Sequence, residues 1–391
     1  MNFNMKNEFN NKQKTSNFKS GANFAKFVLG NALLYNPEIF SKNGIFGGIA
    51  LIVILGGILS HLSLYLLFRV SFVHREKNYE NLIGKSINKK MKPIIKTFVL
   101  ILCIFSIFTY VDFIEVIFQK MKFSPKESRW ITCISFLIVN LIFTRYSQLY
   151  FVNLIGLFAV FFFCLITGLK CIQNWDLSQI ATIKINSGIV DSISRISLSF
   201  CYHYCILPFT DGIYNQNDVC LKKNILFSTF YAALISTCVN LFVGATGYIA
   251  YPDSKPLWFE NINSHDFFVF YLLLIMSFLI TLLSVPICFI GIMQEMDCFF
   301  KSKSAYKKIF AMLLTTCMVF VGQAVAKNTI AKCFIALITT LIMFLFPSFS
   351  YLNTFKKPLR EQKIPIICIL LGSCLFLKIF YDLIVNLISL F

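Results

Sequence analysis

Long apolar runs separated by short polar stretches set the pattern of this chain. The apolar segments lie at roughly 22–41, 45–68, 94–118, 130–144, 149–170, 190–213, 224–250, 267–292, 308–325, 329–350 and 364–390. A run of about 20 apolar residues is what a helix needs to cross a hydrocarbon core of about 30 Å, so each segment is read as a membrane helix. The fourth and ninth are short for that thickness. The pattern predicts an all-α polytopic membrane protein with about 11 transmembrane helices. Residues 1–21 are rich in Asn, Lys, Gln and Ser and have no apolar centre. They read as a disordered cytosolic tail, not as a signal peptide.

Two of the segments are flawed as plain anchors. The first carries Lys26, Gly30, Asn31, Asn36, Pro37 and Glu38, and Gly44 follows it; the sixth carries His203, Pro208, Asp211 and Gly212. Five helices separate their starts, an odd number, so they begin on opposite sides of the membrane. The first five-helix unit (22–171) and the second (190–350) are then related as an inverted repeat, with 364–390 as an appended eleventh helix. This is the arrangement of LeuT-like five-plus-five folds. Backbone groups freed by a break inside lipid survive only beside protein, water or a bound solute. The amides around Gly30, Asn31, Ala32, Leu33 and Leu34 are therefore candidates to hold a carboxylate, aided by the helix dipole. The carbonyls around Phe200, Cys201, Tyr202, His203 and Tyr204 are candidates to hold an ammonium, with Tyr202 and Tyr204 choosing the side chain. Proline kinks without any ligand are common in membrane helices. Two breaks in matching halves weigh against that plainer reading.

Composition agrees with the pattern. Charged residues make up 14% of the chain, against about 25% in soluble proteins, and the mean hydropathy is +0.71. A net charge of +18 would suggest nucleic acid in a soluble protein. Here the Lys and Arg collect in short loops, as at Arg69–Lys96 and Lys301–Lys308, so membrane topology accounts for them and no nucleic-acid partner is expected. Their bias places the N-terminus in the cytosol. Most of the 14 Cys sit singly inside apolar segments, where a thiol behaves as a small hydrophobe. No Cys/His spacing suits a metal. The four His lie far apart, so neither a catalytic set nor a cofactor is expected.

The first-span residues Gly30-Asn31-Ala32-Leu33-Leu34-Tyr35-Asn36-Pro37 with Gly44 resemble the Gly-x-Gly-Ile-Leu-x-Leu-Pro pattern, followed by Gly, of the amino acid/auxin permease family. Ala32 and Asn36 depart from it. Phe200, His203, Leu207 and Pro208 fall in the family's Phe-x-x-His-x-x-x-Leu-Pro frame. Gly247-Tyr248-Ile249-Ala250-Tyr251-Pro252 is similar to its Gly-Tyr-x-x-Phe-Gly. The resemblance covers about residues 22–350 and belongs to the wider amino acid–polyamine–cation superfamily. It implies secondary active transport of amino acids, with protons as the coupled ion, at the plasma membrane or a vacuolar membrane.

Lys26 sits one turn before the first break, where an ammonium costs at least about 2.5 kcal/mol. In sodium-coupled relatives this position tends to be Asn, and in several proton-coupled ones Lys. The resemblance thus implies sodium independence, with a fixed cation in place of the ion. In the plainer reading Lys26 snorkels to headgroups. Ser277, Thr281 and Ser284 share a face of the eighth segment, where relatives build an ion site; bonding back to their own helix is the ordinary alternative. His203 is either a proton carrier or a neutral hydrogen-bonding group. Glu38, Asp112, Glu115 and Asp211 read as solvated helix ends, with gating or proton relay as the alternative, and Arg195 as an interfacial anchor. A non-transporting amino acid sensor of the same fold and a membrane-embedded transferase remain open.

Overall fold

The computed structural model describes residues 24–26, 28–143, 148–184, 189–207, 219–262, 267–296, 304–356 and 362–388. The expected tail and Asp211 lie outside them. The described chain is helical, without a strand. Seven of its stretches are long and apolar enough to cross a membrane: Leu33–His74, Met91–Lys120, Leu149–Gln173, Ile225–Ala250, Phe267–Met293, Thr329–Phe355 and Lys363–Ile388. The protein is an all-α polytopic membrane protein. Exposed Phe, Ile and Leu along these helices are the surface that lipid would cover.

Helices are numbered here in chain order. A 3-10 turn at Asn31–Tyr35 leads into α1 (Asn36–Leu51), which runs through a π-helical stretch at Ile52–Leu59 into α2 (Ser60–His74). Leu33–His74 is thus one connected run, yet Gly44 breaks it with φ 76° and ψ 173°. The backbone groups freed there are met by the segment 181–184. Ile45 N donates to Ala181 O (3.0 Å), Phe46 N to Thr182 O (3.1 Å) and Lys184 N to Asn43 O (2.9 Å). A break whose backbone groups are satisfied by protein is tolerable at membrane depth.

The basic stretch after α2, expected to be a plain loop, contains α3 (Tyr79–Ser86), which buries Tyr79, Leu82 and Ile83. The Tyr79 hydroxyl donates to Ile342 O at 2.6 Å. α4 (Met91–Lys120) is followed by α5 (Pro125–Ile142), which starts several residues before the expected 130. The reason is a capping box: Ser124 Oγ accepts from Glu127 N and Glu127 Oε2 accepts from Ser124 N, with Pro125 in the first turn. Such a cap holds a polar first turn that hydropathy alone would not place in a helix.

α6 (Leu149–Gln173), α7 (Ile189–Phe200) and the single turn α8 (His203–Ile206) come next, then α9 (Val219–Ala250). α10 (Phe267–Leu282) and α11 (Val285–Met296) divide a segment expected to be continuous. Pro286 explains the division, because it has no N–H to donate back to the preceding turn. α12 (Ser304–Lys327), α13 (Thr329–Thr340), α14 (Phe346–Phe355) and α15 (Lys363–Ile388) complete the described chain.

α1 packs along α9, α4 along α11 and α12, and α6 along α9 and α10. Asn36, a departure from the family pattern, finds a polar partner across the first of these contacts. Its Nδ2 donates to Asn240 Oδ1 at 2.6 Å, and Asn240 Nδ2 donates to Ser236 O at 2.7 Å. Paired side-chain amides satisfy polar atoms that lipid would leave bare.

Candidate functional site

The helices are broken at three places that border one cavity: the first at Leu29–Gly30, the second at Cys201–Tyr202 between α7 and α8, the third at Leu283–Ser284 between α10 and α11. This cavity, of about 150 Å³, touches all three, with Gly30, Cys201, Tyr202 and Ser284 in its wall. α4 closes one side through Phe105, Ser106, Thr109 and Tyr110. The third break has no counterpart among the expected flaws, although Pro286 marks it.

Lys26 is fully buried. Its ammonium donates to Leu29 O (3.2 Å), Ile280 O (3.1 Å) and Ser284 Oγ (2.7 Å). Three donors meet three oxygens, so the group is satisfied without water or headgroups. The snorkelling alternative does not describe this geometry. The aliphatic stem lies against Gly156 on α6, where an added Cβ would come within 2.2 Å of Lys26 Cε. Gly156 therefore makes room for the lysine, a role with no signal in the sequence.

Gly30 has extended backbone (φ −93°, ψ −153°) and opens the 3-10 turn. The first N–H groups of a helical run have no partner within it, so the positive end of the α1 half-helix faces the break. The Val28 and Leu29 carbonyls end the preceding half; Val28 O accepts from Ser199 Oγ at 3.4 Å. The C-terminal end of α7 brings carbonyls of Leu198–Phe200 to the same place, one of them held by Ser60 Oγ (3.1 Å to Phe200 O). One positive and two negative helix ends thus converge, which suits a solute with a carboxylate and an ammonium on neighbouring atoms.

The expected solute-binding residues divide. Gly30, Cys201, Tyr202 and Tyr204 line the cavity. Leu33 and Leu34 point away, buried in an apolar cluster with Trp258 and Phe259. Phe200 is buried in the main core and lies against Gly56. Asn31 and Ala32 belong to the 3-10 turn, and only their backbone is described. His203 is fully buried and is not part of the cavity wall. Neither of its ring nitrogens has a hydrogen-bond partner among the described residues.

On the eighth segment Ser284 reaches Lys26. Thr281 Oγ1 donates back to Ser277 O at 2.9 Å, and Ser277 Oγ is buried without a partner among the described residues. Ser284 Oγ also donates back to Ile280 O at 2.8 Å, so both Thr281 and Ser284 bond to their own segment, and Ser284 accepts from Lys26 as well.

Of the carboxylates read as solvated ends, Glu38 and Glu115 are buried and Asp112 is partly buried, while Asp211 lies outside the described residues. Glu38 is buried and pairs with Lys42 (2.7 Å) and with Arg195. Asp191 pairs with Lys42 (2.8 Å) and Arg195 (2.9 Å). Arg195 also lies 4.5 Å from the Tyr35 ring centre. This four-charge cluster ties α1 to α7, and its members Asp191 and Arg195 line the cavity, so Arg195 is a tie between helices. Glu115 is fully buried and pairs with Arg129 at 3.1 Å, and Asp112 pairs with Lys327 at 3.5 Å. Burial explains the correction, because a carboxylate removed from water needs a cation beside it.

Removing the Glu38 charge leaves Arg195 and Lys42 sharing one carboxylate. Glu38→Gln is expected to cost about 1.5–3 kcal/mol, the range for hydrogen bonds to charged groups. The thermal midpoint in detergent should fall accordingly. An unchanged midpoint would mean the cluster contributes nothing to stability.

Tyr110 and Cys288 were not expected in the site. The stripe Phe105, Ser106, Thr109 and Tyr110 at helical spacing, carrying hydroxyls inside an apolar segment, was a legible hint. The family model for transmembrane amino acid transporter proteins matches this chain over residues 13–385. No curated protein matches it.

Proposed function

The chain belongs to the transmembrane amino acid transporter family, and from amino acid transport across a membrane as that premise we propose a secondary active, proton-coupled and sodium-independent mechanism. The solute sits between the breaks at Leu29–Gly30 and Cys201–Tyr202. Amides at the start of the Asn31–Tyr35 turn receive its carboxylate, and carbonyls ending the two preceding half-helices receive its ammonium.

The observation that carries the sodium-free part is the Lys26 cage. Two backbone carbonyls and a hydroxyl, drawn from two separate segments, surround one positive charge. Carbonyl and hydroxyl oxygens are what a bound alkali cation would use. A covalently attached ammonium already fills that place, so no sodium ion is needed to hold the two segments together. The family resemblance and the convergence of helix ends support the rest. The five-plus-five inverted repeat, the cytosolic N-terminus and the choice of membrane, cell surface or vacuole, belong to the same reading. With the N-terminus cytosolic, a proton gradient drives import into the cytosol from either compartment.

Flux of radiolabelled amino acids into proteoliposomes tests the mechanism under imposed gradients. Saturable uptake that follows a proton gradient and ignores sodium at constant pH is expected. Sodium-dependent uptake at constant pH would overturn the role given to Lys26. Binding without flux would indicate a sensor.

Gly30 provides a local test. A Cβ there would sit 3.7 Å from Ser284 Oγ, an ordinary contact. Gly30→Ala is therefore expected to insert and retain measurable uptake, whereas the branched side chain of Gly30→Val projects into the cavity and should abolish it. Full transport by Gly30→Val would remove the first break from the site.

A further inference from the structure

The charged residues of the cavity wall other than Lys26 are partly or fully exposed, whereas several of its apolar ones are buried, and the difference bears on which amino acids fit. Besides Lys26, the charged wall residues are Asp112, Asp191, Arg195 and Lys332; the first three are partly exposed and held in ion pairs with Lys327, Lys42 or one another, and Lys332 is exposed. Lys26 has given its three donors to protein oxygens. Phe105, Tyr110, Tyr204, Cys205, Ile287 and Cys288 belong to the same wall, and Phe105, Cys205, Ile287 and Cys288 are buried. Tyr110, Tyr204 and Ser106 surround the Cys288 thiol. The nearby α4 hydroxyls are turned back into their own helix: Ser106 Oγ donates to Leu102 O and Thr109 Oγ1 to Phe105 O, both at 2.8 Å.

We propose that Tyr110, Tyr204, Cys205, Ile287 and Cys288 form the side-chain slot of the solute site, and that it selects uncharged amino acids with large aliphatic or aromatic side chains. The assignment rests on the transport reading above. The slot offers aromatic faces, polarisable sulfur and aliphatic surface, which favour rings and branched chains. The tyrosine hydroxyls can meet a phenol or an indole N–H. No carboxylate, guanidinium or ammonium in the slot, among the described residues, can pair with a charged side chain, and burying an unpaired charge is costly.

Competition against labelled phenylalanine in proteoliposomes tests this, together with thermal shifts of the detergent-purified protein on adding single amino acids. Phenylalanine, tyrosine, tryptophan and leucine are expected to compete. Lysine, arginine, aspartate and glutamate should be weaker by at least ~100-fold, as expected for an unpaired buried charge. The variant Cys288→Phe fills the slot and should lower the phenylalanine-to-alanine uptake ratio at least about tenfold, since each such factor corresponds to a modest loss of contact. If no amino acid is transported or bound, the transport reading itself fails. If amino acids are transported but lysine or glutamate competes as well as phenylalanine, the slot assignment falls and transport stands. An unchanged ratio in an inserted Cys288→Phe also overturns the slot. The wild-type panel decides the matter should that variant not insert.

Discussion

Lys26→Met is expected to lower amino acid flux at least ~100-fold while the protein still reaches the membrane. The methionine keeps most of the side-chain volume beside Gly156 but removes the donor shared by Leu29 O, Ile280 O and Ser284 Oγ. Hydrogen bonds from a charged donor are worth about 1.5–3 kcal/mol each. Losing the equivalent of two of them from the transported state corresponds to a factor of about 100. Gly156→Ala offers an independent route to the same defect. Its Cβ would stand 2.2 Å from Lys26 Cε and 3.0 Å from Cδ, displacing the stem without altering the charge. Flux in proteoliposomes, normalised to inserted protein, is the measurement. Undiminished flux in Lys26→Met would reduce the cage to a packing feature and remove the argument for sodium independence.

Gly44→Ala is expected to act on folding instead. With φ 76° and ψ 173° the position lies in backbone space that side-chain-bearing residues occupy at about 1–3 kcal/mol. An added Cβ would also come within 2.8 Å of Ile183 Cα and 2.9 Å of Ala181 O. Backbone atoms cannot step aside as the end of a side chain can, so the segment 181–184 must undock. Its loss would free the partners of Ile45 N and Phe46 N at membrane depth. The expected result is a sharp fall in monodisperse protein recovered in mild detergent. Recovery at the wild-type level would show that this docking is dispensable.

The two tests separate what each motif residue does. Gly44 permits a turn and a docking contact. Gly247 and Tyr248, from the third stretch of the family resemblance, serve the same region: Tyr248 hydroxyl accepts from Ala181 N at 3.0 Å, and Pro37 packs against Gly247 so closely that a Cβ would meet it at 2.4 Å. Positions far apart in the chain thus support one structural join, while Lys26 links two other segments and Gly30 lines the cavity.

Much of the architecture was legible from residues alone. Lipid demands about 20 consecutive apolar residues for each helical crossing, so the spans announce themselves in order. Gly30 and Pro37 in the first, with the Phe200–Pro208 frame in the sixth, announce broken helices because little else in a membrane segment interrupts the backbone ladder. The family resemblance rested on those same residues. Hydropathy failed where a polar first turn is held by a cap, as at Ser124–Glu127, and where a short amphipathic helix, α3, lies among basic residues.

Partners were decided by the tertiary structure. That Lys26 meets Ile280 and Ser284, more than 250 positions away, depends on how the first segment packs against the end of α10. Glu38 could be assigned to water until α7 brought Arg195 beside it. Gly156 carries no mark of its role, since a missing side chain records only that something else occupies the space. The Lys26–Gly44 stretch was identifiable as flawed because flaws are local. What its lysine and its amides face is set by helices distant in sequence, and only their packing decides it.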